Sequence, residues 1–263
     1  MQILFIGDIV GKPARKATKI ILEKLKEEYQ VDLIITNGEN LAHGKGMSEK
    51  TMNEMIEAGI DFFTSGNHIW SNRSFLPLLD EKKTPAIRPA NYPPEVPGRG
   101  FEVIKTKKKE DLLLINLQGR VFLHPDLDCP FRILEKILND HKKIKNVIVD
   151  FHAEATSEKY ALLRNFDGRI SAILGTHTHI QTNDAHITGQ GTAFVCDTGS
   201  VRAQNSVLGV QSDIIVEKFL TQMPIHHEIA EEGPIIFNAV RLLLDAKKGQ
   251  ATEIELINKT VDL

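Results

Sequence analysis

Residues 170–179 read ISAILGTHTH, an apolar, β-branched run closed by Gly175 and followed at once by two histidines. A short apolar run bounded by a turn residue is the pattern of a strand buried on both faces. The same arrangement recurs along the chain. ILFIG (3–7) runs into Asp8, DLIIT (32–36) into Asn37-Gly38-Glu39-Asn40, DFFTS (61–65) into Gly66-Asn67-His68, and NVIVDF (146–151) into His152. LLLIN (112–116) is a further strand candidate without such a tail.

Between these runs lie segments of helical spacing. Ala14, Ala17, Ile21 and Leu25 form one stripe, Met52, Met55 and Ile56 a second, and Phe131, Leu134, Ile137 and Leu138 a third. Strand and helix in alternation predict a layered α/β fold. PIIFNAVRLLLD (234–245) and TEIELI (252–257), joined by AKKGQA, read as an antiparallel hairpin, so the sheet is expected to be mixed. The charge run KTKKKED (105–111) reads as a hairpin tip. Residues 84–100 hold five of the eleven prolines and predict an ordered surface loop linking two halves. Without an internal repeat or a clear linker, one domain over residues 1–263 is expected.

Composition narrows the class. With 41% hydrophobic and 25% charged residues the chain is that of a folded globular protein. A net charge of −3 gives no bulk attraction for a long nucleic acid or an anionic membrane, so any phosphate must be held locally. Cys129 and Cys196 stand far apart without a CxxC partner and read as small buried hydrophobes, not a disulfide or thiolate metal site. No run approaches the ~18 apolar residues of a membrane helix. The apolar start is cut by Asp8, too short and polar for a signal peptide, and a cytoplasmic protein is expected.

In open α/β sheets, ligands gather where the carboxyl ends of strands converge. Here five strand ends deliver Asp, Glu, Asn and His to one rim. Asp8, Glu39, Asn40, Asn67, His152, His177 and His179 are too many for one ion that leaves room for substrate, and enough for two if a carboxylate bridges. Oxygen and imidazole donors without cysteine suit Mn, Fe or Zn. Two ions about 3.5–4 Å apart serve phosphate-ester hydrolysis. His68, beside Asn67, is placed to stabilise or protonate a leaving oxygen. His177 and His179, two apart, share a face if that segment is extended.

These blocks resemble the calcineurin-like metallophosphoesterases, whose usual motifs are D-x-H, G-D-x-x-D, G-N-H-[DE], H and G-H-x-H. Val10 in place of the first histidine, and Glu39-Asn40 in place of the aspartate block, resemble the YmdB-type branch, bacterial dimetal phosphodiesterases acting on cyclic nucleotides. NGENLAHGKG (37–46), RPANYP (88–93), FHAEATSEK (151–159) and GTHTHIQT (175–182) carry the likeness across nearly the whole chain. The resemblance implies two mixed β-sheets packed face to face and flanked by helices. It implies one metal on Asp8, Glu39, Asn40 and His179, and the other on Glu39, Asn67, His152 and His177, with His68 as proton donor or transition-state stabiliser. Two ions are expected, iron or manganese first and zinc or magnesium next, together with a homodimer or homotetramer.

The chain departs from the branch at Ser71 after GNHIW, and at Ser200-Val201-Arg202-Ala203 where the branch tends to M-T-G-P. Arg202 adds a positive charge and is a candidate contact for substrate phosphate or base. Asp150 and Glu154 flank His152 and are candidates to orient an imidazole. The activity expected is hydrolysis of 2′,3′- or 3′,5′-cyclic nucleotides by a dimetal-activated hydroxide. A regulatory module that binds a nucleotide or an RNA-processing partner with slow turnover, and a phosphomonoesterase or nuclease, are the alternatives.

Overall fold

A computed structural model describes residues 1–263. In chain order its strands are β1 (Gln2–Ile6), β2 (Asp8–Ile9), β3 (Leu33–Asn37), β4 (Phe62–Thr64), β5 (Phe101–Lys105), β6 (Asp111–Gln118), β7 (Asn146–His152), β8 (Ala172–Thr176), β9 (His186–Ile187), β10 (Ala193–Val195), β11 (Ser200–Ala203), β12 (Ile235–Asp245) and β13 (Gln250–Val261). Its helices are α1 (Gly11–Glu28), α2 (Glu49–Ala58), α3 (Leu76–Leu79), α4 (Pro130–Asp140), α5 (Thr156–Phe166) and α6 (Ser212–Thr221).

The strands form two mixed sheets. In the first, β1, β3 and β4 run parallel, β12 pairs antiparallel with β1, β11 and β13, and β2 closes the edge beside β11. In the second, β6, β7, β8 and β10 run parallel between antiparallel β5 and β9. The all-apolar runs are explained by alternation, since successive side chains of a strand leave by opposite faces. Ile3 and Phe5 of β1 enter one core with Leu112 and Leu114 of β6 and Ile148 of β7, so that core lies between the sheets. Leu4 and Ile6 face the other way, against Ala14, Ala17 and Ile21 of α1 and Met52 and Met55 of α2. On the far side Leu113, Ile115, Val149 and Phe151 meet Leu134 and Ile137 of α4 and Leu162, Leu163 and Phe166 of α5. The molecule is a two-sheet, helix-flanked sandwich, the arrangement that the family resemblance implies.

Two expectations change. The proline-rich segment links the two sheets, but its first half is not at the surface. Ala86 pairs with Phe63 beside β4, Ile87 enters the core between the sheets, and Arg88, Asn91 and Tyr92 are buried. Asn91 explains how: its amide donates to the carbonyls of Gln118 and Asp128 and its Oδ1 accepts the Gln118 N–H, satisfying backbone that has no ladder. His177 and His179, moreover, are not in an extended segment. Both sit at positive φ, 97° and 65°, in a bend after β8. For residues other than glycine that conformation costs on the order of 1–3 kcal/mol each and persists only where surrounding contacts impose it.

Candidate metal centre

All the sequence-predicted ligands stand at the carboxyl ends of the parallel strands, at the rim where the two sheets meet. Asp8 opens β2, Glu39 and Asn40 lie in the turn after β3, and Asn67 and His68 follow β4. His152 ends β7, and His177 and His179 follow β8. Asp8 is fully buried and is not a helix cap, since Val10 occupies the N-cap of α1.

One group converges tightly. Nε2 of His152 lies 3.1 Å from Glu39 Oε1, 3.1 Å from Asn67 Oδ1 and 3.1 Å from Nδ1 of His177. Candidate donor atoms of Glu39, His152 and His177 all fall within 4.8 Å of one another. The close approach needs Gly66, because a Cβ there would strike the His152 ring and the Glu39 carboxylate. The second group is looser. His179 Nε2 stands 4.0 Å from Asp8 Oδ1, and Asn40 makes no hydrogen bond to either. Asp8 Oδ1, Asn40 Oδ1 and His179 Nδ1 are buried polar atoms without a protein partner. The Asn40 amide group donates to Gly44 O at 2.8 Å, which leaves its oxygen free.

Such orphaned atoms carry a desolvation cost unless something satisfies them. The electrostatics say what sign that partner has. Burial pushes the Asp8 carboxyl well above its usual range, with Glu39, Asp197 and Asp150 adding to it. Burial opposes charge on Glu39 too, but the His152 imidazolium beside it holds it down at about 2. His152, whose burial alone would lower it, is raised to about 9 by Glu39, Asp8 and Asp150. Buried acids crowded around one imidazole thus draw positive charge to this point. Burial pushes His177 to about 3, with His152 adding to it, and His179 to about 4, so both rings are neutral at pH 7 with a free lone pair. Carboxylates, amide oxygens and neutral imidazoles aimed at one buried pocket fit divalent or trivalent cations.

Neighbouring residues set the rings. The Thr176 hydroxyl donates its single proton to Asp150 Oδ1 at 2.7 Å, so it accepts from His152 Nδ1 at 2.9 Å. Nδ1 therefore carries a proton, and Nε2 is the nitrogen turned to the cluster. Asp150 orients His152 through Thr176, while Glu154 Oε2 lies 3.1 Å from His177 Nε2 and holds that ring directly. Asn37 and Thr176 have roles that the sequence does not reveal. Asn37 donates to Asp150 Oδ2 at 3.0 Å and accepts the Glu39 N–H at 3.1 Å, tying the two sheets together beneath the ligands. The signal for both was a polar residue closing an otherwise apolar buried strand.

His68 donates its backbone N–H to Glu39 Oε2 at 2.9 Å, and its side chain lines a cleft of about 1320 Å³ with Val10, Asn40 and His179. Burial draws its imidazole below the ordinary range. Residues between Asn205 and Asp213, and His226 to Gly233, supply most of the rest of its lining. Arg202 is neither a solvated loop arginine nor one of the residues lining that cleft. It lies buried on β11 with no carboxylate partner, its Nε unbonded, and burial lowers its pKa.

A family model described as YmdB-like protein matches residues 4–257. A protein of Bacillus subtilis (strain 168) named 2′,3′-cyclic-nucleotide 2′-phosphodiesterase is 42% identical over 258 residues, 98% of this chain and 96% of its own length. A crystal structure of a hypothetical protein from Thermus thermophilus superposes with a TM-score of 0.92 at 38% identity, covering 99% of both chains. A crystal structure titled as a novel phosphatase from Mycoplasma pneumoniae superposes with a TM-score of 0.93 at 33% identity, covering 100% of this chain and 94% of that one.

Proposed function

The chain belongs to the YmdB-like family of phosphoric-ester hydrolases, and from that premise we propose that it is a dimetal phosphodiesterase that opens the ring of 2′,3′-cyclic nucleotides. The observation that carries the reading is the pairing of two donor groups at one rim. Glu39, Asn67, His152 and His177 converge around His152 Nε2, and next to them Asp8 Oδ1, Asn40 Oδ1 and His179 Nδ1 are buried without partners. Asp8, Glu39, Asn40 and His179 would hold one ion and Glu39, Asn67, His152 and His177 the other. Bound there, two metal ions would supply Lewis-acid polarisation of the phosphate and a lowered pKa for an attacking water.

The chain's own residues do the rest. Asp150, through Thr176, keeps His152 Nε2 turned inward, where a bound ion would take the place of its proton, and Glu154, bound to Nε2 of His177, keeps that ring's Nδ1 turned inward. Glu39 is held by the His68 amide with its charge retained. The His68 ring, in the cleft, donates an N–H to the oxygen that leaves phosphorus as the ring opens. The cleft walls would hold the base and ribose. The reading extends to hydrolysis of 3′,5′-cyclic nucleotides, to iron or manganese as the ions, and to a homo-oligomer in the cytoplasm. The family likeness supports these, and no helix is long and apolar enough to cross a membrane.

The test is a substrate panel with purified protein and added Mn²⁺: 2′,3′-cyclic AMP, 3′,5′-cyclic AMP, AMP and a single-stranded oligoribonucleotide. Turnover of the 2′,3′-cyclic nucleotide to a nucleoside monophosphate without further dephosphorylation is expected. Phosphate release from AMP as the fastest reaction would make the protein a phosphomonoesterase instead, and tight nucleotide binding with almost no product would make it a binding module.

Arg202 has no substrate contact in the proposal: it is buried on β11 outside the cleft lining, and what it offers the site is a charge that helps lower His179. Arg202→Ala is expected to leave KM within about threefold of wild type, since no charge-assisted hydrogen bond to substrate is lost. A KM raised about tenfold on a cyclic nucleotide, with kcat little changed, would instead place the guanidinium against the substrate phosphate.

A further inference from the structure

Beneath the two left-handed histidines lies a buried ion pair that catalysis as described above does not use. Lys159 of α5 and Asp197, in the segment after β10, are each 1% exposed, with Nζ and Oδ2 3.1 Å apart. Their remaining bonds all go to backbone and side chain of the metal-site loop and its support. Lys159 Nζ donates to the carbonyl of Thr176 at 3.0 Å, immediately before His177. Asp197 Oδ2 accepts both the N–H of Thr178 at 3.0 Å and its hydroxyl at 2.8 Å, between the two histidines. Asp197 Oδ1 accepts Gly199 N at 2.8 Å, and Ser200, one residue further, donates its hydroxyl to the carbonyl of His179 at 3.1 Å.

The loop is thus fixed at 176 and 178, on either side of His177 and just before His179, by a pair with no access to water, while Ser200 holds the carbonyl of His179. Two residues at positive φ need such outside restraint, because their own backbone preference lies elsewhere. A buried ion pair is poor evidence of stabilisation, since its desolvation cost offsets much of its attraction and apolar residues of similar size often serve folding as well. What apolar residues cannot supply is an anionic acceptor for Thr178 and a donor for the Thr176 carbonyl. We propose that Lys159 and Asp197 are positioning residues whose role is to hold His177 and His179 in the geometry that binds metal. This rests on the dimetal reading of the site.

The experiment compares metal affinity with folding. Metal-stripped wild type, Asp197→Asn and the double variant Lys159→Met/Asp197→Leu are titrated with Mn²⁺ by calorimetry and by electron paramagnetic resonance, and the melting of each metal-free protein is recorded. The double variant leaves no unpaired buried charge but strands the Thr176 carbonyl and the Thr178 N–H and hydroxyl, and is expected to stay folded with its melting temperature lowered. Its Mn²⁺ dissociation constant is nevertheless expected to rise at least about tenfold, the scale of lost support for a ligating imidazole. Asp197→Asn keeps size and shape and is expected to weaken Mn²⁺ by a similar factor, so the comparison survives if the double variant does not fold. A dissociation constant within twofold of wild type in either folded variant overturns the positioning role and leaves the pair structural. If wild type itself takes up no Mn²⁺, the dimetal reading fails first, and the positioning role with it.

Discussion

Glutamine in place of Glu39 is expected to lower kcat/KM on a 2′,3′-cyclic nucleotide by roughly a thousandfold or more, about 4 kcal/mol at 1.36 kcal/mol per tenfold. The substitution isolates charge from shape. A glutamine oxygen can still accept the His68 amide that Glu39 Oε2 accepts now. What disappears is the anion that holds His152 up at about 9 and that faces both donor groups. In the proposal Glu39 alone belongs to both ion sites, so losing its charge weakens both at once. Metal content of the purified variant, counted by plasma mass spectrometry, should fall in step with activity. A variant carrying the wild-type number of ions and turning over within tenfold of wild type would deny Glu39 the bridging role.

His68→Ala should separate proton donation from metal binding. Removal of a well-placed general acid costs about 10²–10⁴ in rate. The loss should fall on kcat, because the bond from residue 68 to Glu39 is made by backbone N–H and survives the change. Metal content should stay at the wild-type value. A substrate with a nitrophenolate leaving group needs little protonation, so the same variant should lose less than about tenfold on bis-p-nitrophenyl phosphate. Equal losses on both substrates would assign His68 to positioning or to the metal sites.

Much of the architecture was legible because the strands that build it are buried on both faces. Runs such as 112–116 and 146–151 carry no polar alternation, and each face turns out to meet a different core. β9, β10 and β11 escaped notice because two to four residues are too few to show a period. The burial of Ile87 to Tyr92 was hidden by the prolines, which forbid helix and central strand but do not forbid a packed extended segment satisfied by the Asn91 side chain. At the site, residue types and their places after strands identified the side chains that now face one rim. Backbone conformation was not legible: spacing two apart suggested an extended pair, whereas His177 and His179 are held in the left-handed region. Nor does a strand-end pattern reveal which buried polar residues support others, so Thr176 and Asn37 emerged only from their hydrogen bonds. An arginine carries no sequence sign of burial, yet the short strand β11 buries Arg202 beside β12 and outside the cleft where a substrate contact was expected.

The central claim, that this rim is a dimetal phosphodiesterase centre, is tested most directly by stripping the protein with a chelator, removing the chelator, and titrating Mn²⁺ back while recording hydrolysis of 2′,3′-cyclic AMP. The account predicts no detectable turnover in the stripped protein and activity that climbs with metal to a plateau at two ions per chain. Full turnover by the stripped protein, or a plateau reached without metal uptake, would contradict it.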